Sequence, residues 1–214
     1  MGKEKSKINK SKIFFIDFDG TLVDSCEAHL KSFNEIFLNN NLPPIYYYKF
    51  IKIFGLRTEK IIKKLFPKLN NNKIKKLRNE KKKIFLEKYY KLVKIFPNVN
   101  STLRKLRKDY FLILFTNSSR EEIKKIAKYT KLRLDYFDMI IKKEEINKIK
   151  NKIKNIEKFI VGDSFVDILY AKKIKAKSII VINKDNKKIL DEIKKYRPNY
   201  IIKNFYDILK IVKF

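Results

Sequence analysis

The 214-residue chain has one cysteine, four glycines, no tryptophan and only 23 acidic residues against 53 basic ones. A lone Cys26 excludes an intramolecular disulfide and a thiolate metal cluster, and it suits a reducing, cytoplasmic compartment. No apolar run approaches the roughly 18 residues that a membrane helix needs. The N-terminal MGKEKSKINKSK lacks the apolar core of a secretory signal. Arginine is scarce as well: seven of the 53 basic residues, at 57, 78, 104, 107, 120, 133 and 197. The formal charge of +30 attracts polyanions in general. Base and phosphate readout favours arginine forks, however, and lysines dispersed along a whole chain read as a solvated surface. No specific nucleic-acid partner and no membrane partner is expected.

What is present is a core. The chain is 44% hydrophobic, with 17 phenylalanines and 12 tyrosines, enough for a globular protein. Residues 1–11 are polar, basic and expected to be flexible. Ile13–Ile16 is a continuous apolar run, as in a strand buried on both faces. From Glu27 to Phe96 apolar residues recur at helical spacing, punctuated by Pro43–Pro44 and Pro67. After Pro97, strand-like runs at Phe111–Phe115, Phe137–Ile141, Phe159–Val161, Ser178–Ile182 and Tyr200–Ile202 alternate with short helical segments. Alternation of this kind predicts an α/β doubly wound parallel sheet. The expected organisation is a catalytic core of 12–26 and 97–214, interrupted by a helical cap insert at 27–96.

Sites in doubly wound sheets lie at the carboxyl ends of the strands. The first strand runs into Asp17-Phe-Asp19-Gly20-Thr21, the second into Thr116-Asn117-Ser118, and the fourth into Gly162-Asp163-Ser164, with Asp167 four residues after Asp163. Carboxylates converging on one crevice repel unless a cation intervenes, and Mg²⁺ takes such oxygen ligands together with phosphate. One aspartate can then attack phosphorus while a second trades a proton with the leaving oxygen.

The string Phe15-Ile-Asp-Phe-Asp-Gly-Thr-Leu-Val-Asp-Ser25 resembles the first motif of the haloacid dehalogenase superfamily, in the form used by its phosphoglycolate phosphatase branch. Phe115-Thr-Asn117 resembles the second motif and Gly162-Asp-Ser-Phe-Val-Asp167 the fourth. The resemblance runs from about residue 12 to the end and implies roles. Asp17 is nucleophile and Mg²⁺ ligand. Asp19 is acid and then base, and supplies a second ligand through its carbonyl. Thr116 and Asn117 hold the phosphoryl group, and Gly20 makes the turn beside it. Asp163 is the third metal ligand, and Asp167 stands beside it in the metal set. Gly55-Leu56-Arg57 resembles the cap segment that meets substrate. The family's lysine, often followed by proline, has no such signature here. Lys142, Lys143, Lys148 and Lys150 are candidates, with Lys143 placed first and Lys148 second. His29 and Cys26 are expected to be structural.

The function implied is Mg²⁺-dependent hydrolysis of a small phosphorylated metabolite of the phosphoglycolate kind. A phosphosugar mutase, a pyrophosphate or nucleotide phosphatase, and a polyanion-binding protein on an inactive fold remain the alternatives.

Overall fold

A computed structural model describes residues 12–212. The basic N-terminal segment expected to be flexible lies outside the described residues. In chain order the elements are β1 (Lys12–Ile16), β2 (Val23–Asp24), α1 (Cys26–Leu38), α2 (Tyr47–Ile51), α3 (Thr58–Leu65), α4 (Asn71–Glu87), β3 (Lys94–Ile95), α5 (Val99–Asp109) and β4 (Phe111–Thr116). There follow α6 (Arg120–Thr130), β5 (Met139–Lys142), α7 (Ile146–Lys150), β6 (Glu157–Gly162), α8 (Phe165–Ile174), β7 (Lys177–Val181), α9 (Leu190–Lys194), β8 (Tyr200–Ile202) and α10 (Ile208–Ile211).

Six strands form one parallel sheet in the order β5-β4-β1-β6-β7-β8. Burial of both faces explains why β1 and β4 read as unbroken apolar runs rather than alternating ones. Alternate residues feed opposite layers. Phe14, Ile16, Leu112, Leu114 and Val161 pack on one face, and Ile13, Phe15, Ile113, Phe115 and Ile160 on the other. Stacking of Phe14 on Phe159, with ring centroids 4.7 Å apart, ties β1 to β6 inside the first layer. A third cluster joins Phe33, Phe37, Phe50 and Leu77 of the α1–α4 segment to Ile168, Ile180 and Ile193 below it.

After β1 the chain builds β4 and β5 to one side and then returns to build β6, β7 and β8 on the other. That reversal opens a crevice at the carboxyl end of β1, the place where sheets of this class bind ligands. Ile16 pairs with both Leu114 and Val161, so Asp17 emerges between the ends of β4 and β6.

Some boundaries differ from the sequence reading. The third strand of the large sheet begins at Met139 rather than Phe137. Leu134–Tyr136 forms a 3-10 turn, and the Asp138 carboxylate accepts a hydrogen bond from the Leu112 amide at 2.8 Å, ending the turn just before the strand. The expected helices at 146–153, 187–196 and 205–212 each split into a 3-10 turn and a short α-helix. The two-residue strands β2 and β3 pair antiparallel at the ends of the helical segment, and runs so short carry no periodicity to read. Among the described residues no helix is long and apolar enough to cross a membrane.

Candidate active site

Lys143 lies in a 3-10 turn at the end of β5 and is 1% exposed. Its Nζ donates to Asp17 Oδ2 at 2.8 Å and to Asp167 Oδ1 at 2.7 Å. Asp167 is at once a helix-start residue and a partner of this lysine. Its other oxygen accepts from the Ser164 amide and hydroxyl, forming a capping box at the start of α8. Asp163 completes the group, because one oxygen from each of Asp17, Asp163 and Asp167 lies within 4.8 Å of the others. Gly20 and Gly162 let the loops close over these carboxylates. A Cβ at Gly20, whose φ is +76°, would sit 2.0 Å from Asp163 Oδ2, and one at Gly162 would sit 2.0 Å from Asp167 Cγ.

Asp19 points into a different environment. Its Oδ2 accepts from Ser118 Oγ at 2.5 Å, and its Oδ1 accepts from Ser25 Oγ at 2.7 Å. His29 Nε2 lies 3.1 Å from the same Oδ1, and Lys81 Nζ lies 2.7 Å from His29 Nδ1. Lysine has only donors, so Nδ1 accepts and the ring proton sits on Nε2, facing Asp19. Lys81, on α4 and 3% exposed, also stands 3.9 Å from Glu122 of α6. Burial opposes ionisation of Asp19, but the His29 ring and the two hydroxyls outweigh it and hold the carboxyl well below its usual range. Burial lowers Lys81, against the pull of Glu122 and Asp19.

The remaining residues singled out in the sequence are placed as follows. Thr116 is buried at the end of β4, and its Oγ1 accepts from the Ser118 amide at 2.9 Å. Asn117 donates through Nδ2 to the Gly55 carbonyl at 2.9 Å, linking the sheet to the α1–α4 segment. Arg57 sits at the rim in ion pairs with Glu144 and Glu59. Lys148 lies on the surface, 2.8 Å from Glu145, and does not meet the aspartates. Cys26 is buried in the cluster that joins the α1–α4 segment to the sheet. His29, expected to be structural, stands at hydrogen-bond distance from a motif aspartate instead. Lys81 carried no sequence signal of its own, Ser25 and Ser118 were part of the motif strings without an assigned role, and Lys142 was one of the candidate lysines. Lys142 turns away from Lys143 and donates to the Ser118 and Asn117 carbonyls. Two adjacent lysines thus brace opposite sides of the crevice.

The aspartate cluster fits a divalent cation. Asp163 Oδ1 is buried with no hydrogen-bond partner. Three clustered carboxylates face one ammonium group, an excess of negative charge that one divalent cation cancels. Burial, with Asp17 and Asp167 nearby, pushes Asp163 well above the usual carboxylate range. Burial likewise pushes Asp17 up to about 7 despite Lys143. A carboxyl whose folded pKa is raised binds more protons folded than unfolded between the two values, so stability falls as pH rises through that window. The metal-free protein is therefore expected to melt higher at about pH 5.5 than at about pH 7.5, and Mg²⁺ to raise the melting temperature by several degrees at the higher pH only. Differential scanning calorimetry in EDTA and in Mg²⁺ checks this; an equal Mg²⁺ effect at both values counts against the cluster as its site.

The haloacid dehalogenase-like hydrolase model matches residues 13–181. The chain belongs to that family. It is an enzyme of a hydrolase fold, with the motif residues at the ends of adjacent strands. A protein of Caldanaerobacter subterraneus subsp. tengcongensis with the provisional name pyrophosphatase PpaX is 27% identical over 211 residues, covering 92% of each chain. A structure from Bacteroides fragilis, provisionally named a haloacid dehalogenase-like hydrolase, superposes with a TM-score of 0.78 at 20% identity over 93% of this chain and 99% of that one. Another, from Haemophilus somnus 129PT and provisionally named a phosphoglycolate phosphatase, superposes with a TM-score of 0.70 at 21% identity over 93% and 96%. These two structural likenesses describe a shared fold.

Proposed function

We propose that the chain is a Mg²⁺-dependent phosphomonoester hydrolase that acts through an aspartyl-phosphate on Asp17. The observation that carries this reading is the Asp17–Lys143–Asp167 arrangement beside Asp163, buried at the switch point of the sheet. Asp17, Asp163 and the Asp19 carbonyl would hold Mg²⁺, with Asp167 keeping Lys143 in place from beside them. The cation supplies charge neutralisation, so that an anionic phosphoryl group can approach an anionic nucleophile. An Asp17 carboxylate oxygen attacks phosphorus, and the bond from phosphorus to the leaving oxygen breaks. Asp19 delivers a proton to that oxygen and is left as a carboxylate, held by the His29 ring at hydrogen-bond distance. In the second half Asp19 takes a proton from water, which attacks phosphorus and frees Asp17. Lys143, Thr116 and the loop at Asn117 stabilise charge on the phosphoryl oxygens. Residues 27–96 act as the cap over a core of 12–26 and 97–214, with the Gly55–Arg57 turn and Gly20 bounding the substrate site.

The substrate is a small phosphorylated metabolite. Phe33, Phe50, Phe54, Leu56 and Ile61 roof a chamber of about 70 Å³ above Asp17 and Asp19. That volume holds about five waters and favours a phosphate with a two-carbon tail over a nucleoside phosphate. Phosphoglycolate fits, with Lys143 beside the phosphoryl group and Lys81 as a second cation in the chamber for its carboxylate. Pyrophosphate fits equally and is favoured by the name of the Caldanaerobacter relative. The expected result is a kcat/KM at least about 100-fold higher for one of these two than for glucose 6-phosphate or AMP, with all turnover lost in EDTA. A phosphometabolite panel assayed with and without Mg²⁺ measures it; a preference for the bulkier esters would sink the size argument. The dispersed lysines support an enzyme with no specific nucleic-acid partner, and the lone cysteine supports a cytoplasmic one.

A further inference from the structure

Glu122 of α6 is a buried carboxylate in the wall of the aspartate chamber, and the proposed reaction gives it no task. It is rigidly held. Its Oε2 accepts from the Ser119 amide at 2.7 Å, and the Ser119 hydroxyl accepts from the Glu122 amide, a capping box that fixes the first turn of α6. Its Oε1 faces Lys81 Nζ at 3.9 Å. That ammonium group lies over the rings of Phe33 and Phe85, 5.5 and 4.5 Å from their centroids, and hydrogen bonds to His29 Nδ1. An ammonium so deeply buried needs a counter-charge. Among the described residues Glu122 is the one carboxylate within ion-pair distance of it. The His29 ring is itself stacked on Phe85, with centroids 4.5 Å apart. His29 and Lys81 belong to the α1–α4 segment, whereas Asp19 and Glu122 belong to the sheet and its flanking helices. The segment thus presents a His29–Lys81 pair whose two ends meet two carboxylates across the seam: Nε2 at Asp19 and Nζ at Glu122.

We propose that Glu122 is a positioning residue for the hydrolytic reaction: by pairing with Lys81 across the seam it keeps that ammonium aimed at His29 Nδ1, so that His29 presents Nε2–H to Asp19. The role rests on the hydrolytic reading of the site. A lysine offers only donors, so Nδ1 must accept and the ring proton is fixed on Nε2. Without the charge at 122, Lys81 has no counter-charge and has room to turn away, because a polar cavity of about 320 Å³ lies on the other side of Lys81 and Glu122. The His29 proton is then free to sit on either nitrogen. A bare Nε2 facing Asp19 opposes the carboxylate that forms when Asp19 gives up its proton. The neighbouring pair, Lys82 with Glu121 at 2.7 Å, crosses the same seam at the surface and touches neither His29 nor the chamber.

Glu122→Gln tests it, because the amide keeps the length of the side chain and an acceptor for the Ser119 amide while removing the charge. With the best substrate, assayed well below the melting temperature, kcat is expected to fall about tenfold while KM moves less than about threefold. Glu121→Gln is expected to change neither. The single variant leaves a buried ammonium unpaired and is expected to melt several degrees lower. Lys81→Met with Glu122→Gln removes both charges, so it is expected to regain that stability while its kcat stays at the level of Lys81→Met alone. His29 is the only histidine in the chain. Long-range proton–nitrogen NMR spectra of the untagged full chain therefore report its tautomer directly, and they need no turnover. The parent is expected to show the proton on Nε2, and Glu122→Gln a mixture of the two tautomers. A parent that hydrolyses no phosphomonoester would remove the hydrolytic reading, whereas the spectra judge Glu122 by themselves. A kcat equal to the parent's, a loss confined to KM, a kcat that returns with stability in the double variant, or an unchanged His29 spectrum overturns the proposal.

Discussion

Asp17→Asn is expected to lower phosphomonoester turnover by at least about four orders of magnitude, because the amide keeps the shape of the side chain and removes the nucleophilic electron pair. The folded protein should not suffer. Asp17 is buried against Lys143 in a cluster rich in negative charge, and burial already pushes its carboxyl up to about 7. A neutral side chain relieves that cost at neutral pH, so the metal-free variant should melt at or above the parent near pH 7.5. The variant should also lose much of the pH slope that the parent shows between about pH 5.5 and pH 7.5. Two measurements decide the matter: phosphate release with the best substrate of the panel, and melting curves in EDTA. Turnover within about tenfold of the parent would exclude a covalent intermediate on Asp17. A variant that simply unfolds would instead show Asp17 to be structural.

Lys143→Met is expected to damage both activity and stability. Among the described residues its ammonium group is the only cation within hydrogen-bond distance of Asp17 and Asp167, and its aliphatic stem is buried with it. Removing one partner of a buried ion pair typically costs about 3–5 kcal/mol, because the remaining charge is left uncompensated. Protonation of Asp17, which burial pushes up to about 7, softens this at low pH, so the deficit should be largest above about pH 7 and should shrink as pH falls. Turnover should fall by at least about 1,000-fold, since the lysine neutralises charge on the transferring phosphoryl group. Lys148→Met is the control: that residue pairs with Glu145 on the surface and should change neither property measurably. Equal losses in the two variants would show that position in the lysine-rich stretch, not contact with Asp17, is what matters.

Much of the fold was legible in the chain. Runs such as Phe111–Phe115 are apolar on both sides because parallel strands are buried on both faces, and a continuous run needs no partner to be recognised. The start of β5 was misplaced because Phe137 continues the apolar pattern, while the event that delays the strand is a hydrogen bond from Leu112 to Asp138, 26 residues away. The short terminal helices were read too long for a related reason. Periodicity reports which face is apolar, not whether the turn is α or 3-10.

The same division holds at the site. Asp17, Asp19, Asp163 and Asp167 were legible by themselves, because each lies in a contiguous string that a strand end carries into the crevice. The sequence by itself thus determined the family, the parallel sheet and the candidate aspartates. Only the tertiary structure decided which lysine meets them. Lys142 and Lys143 are chemically identical neighbours, yet one turns to the carbonyls at 117 and 118 and the other to Asp17 and Asp167. Tertiary structure alone also brought His29 of α1 and Lys81 of α4 into a line ending on Asp19. The physical reason is that a strand end is set by local pattern, whereas a hydrogen bond between residues 52 apart exists only once separate helices have packed. In a chain with 53 basic residues, composition cannot distinguish the few that are buried and paired from the many that face water.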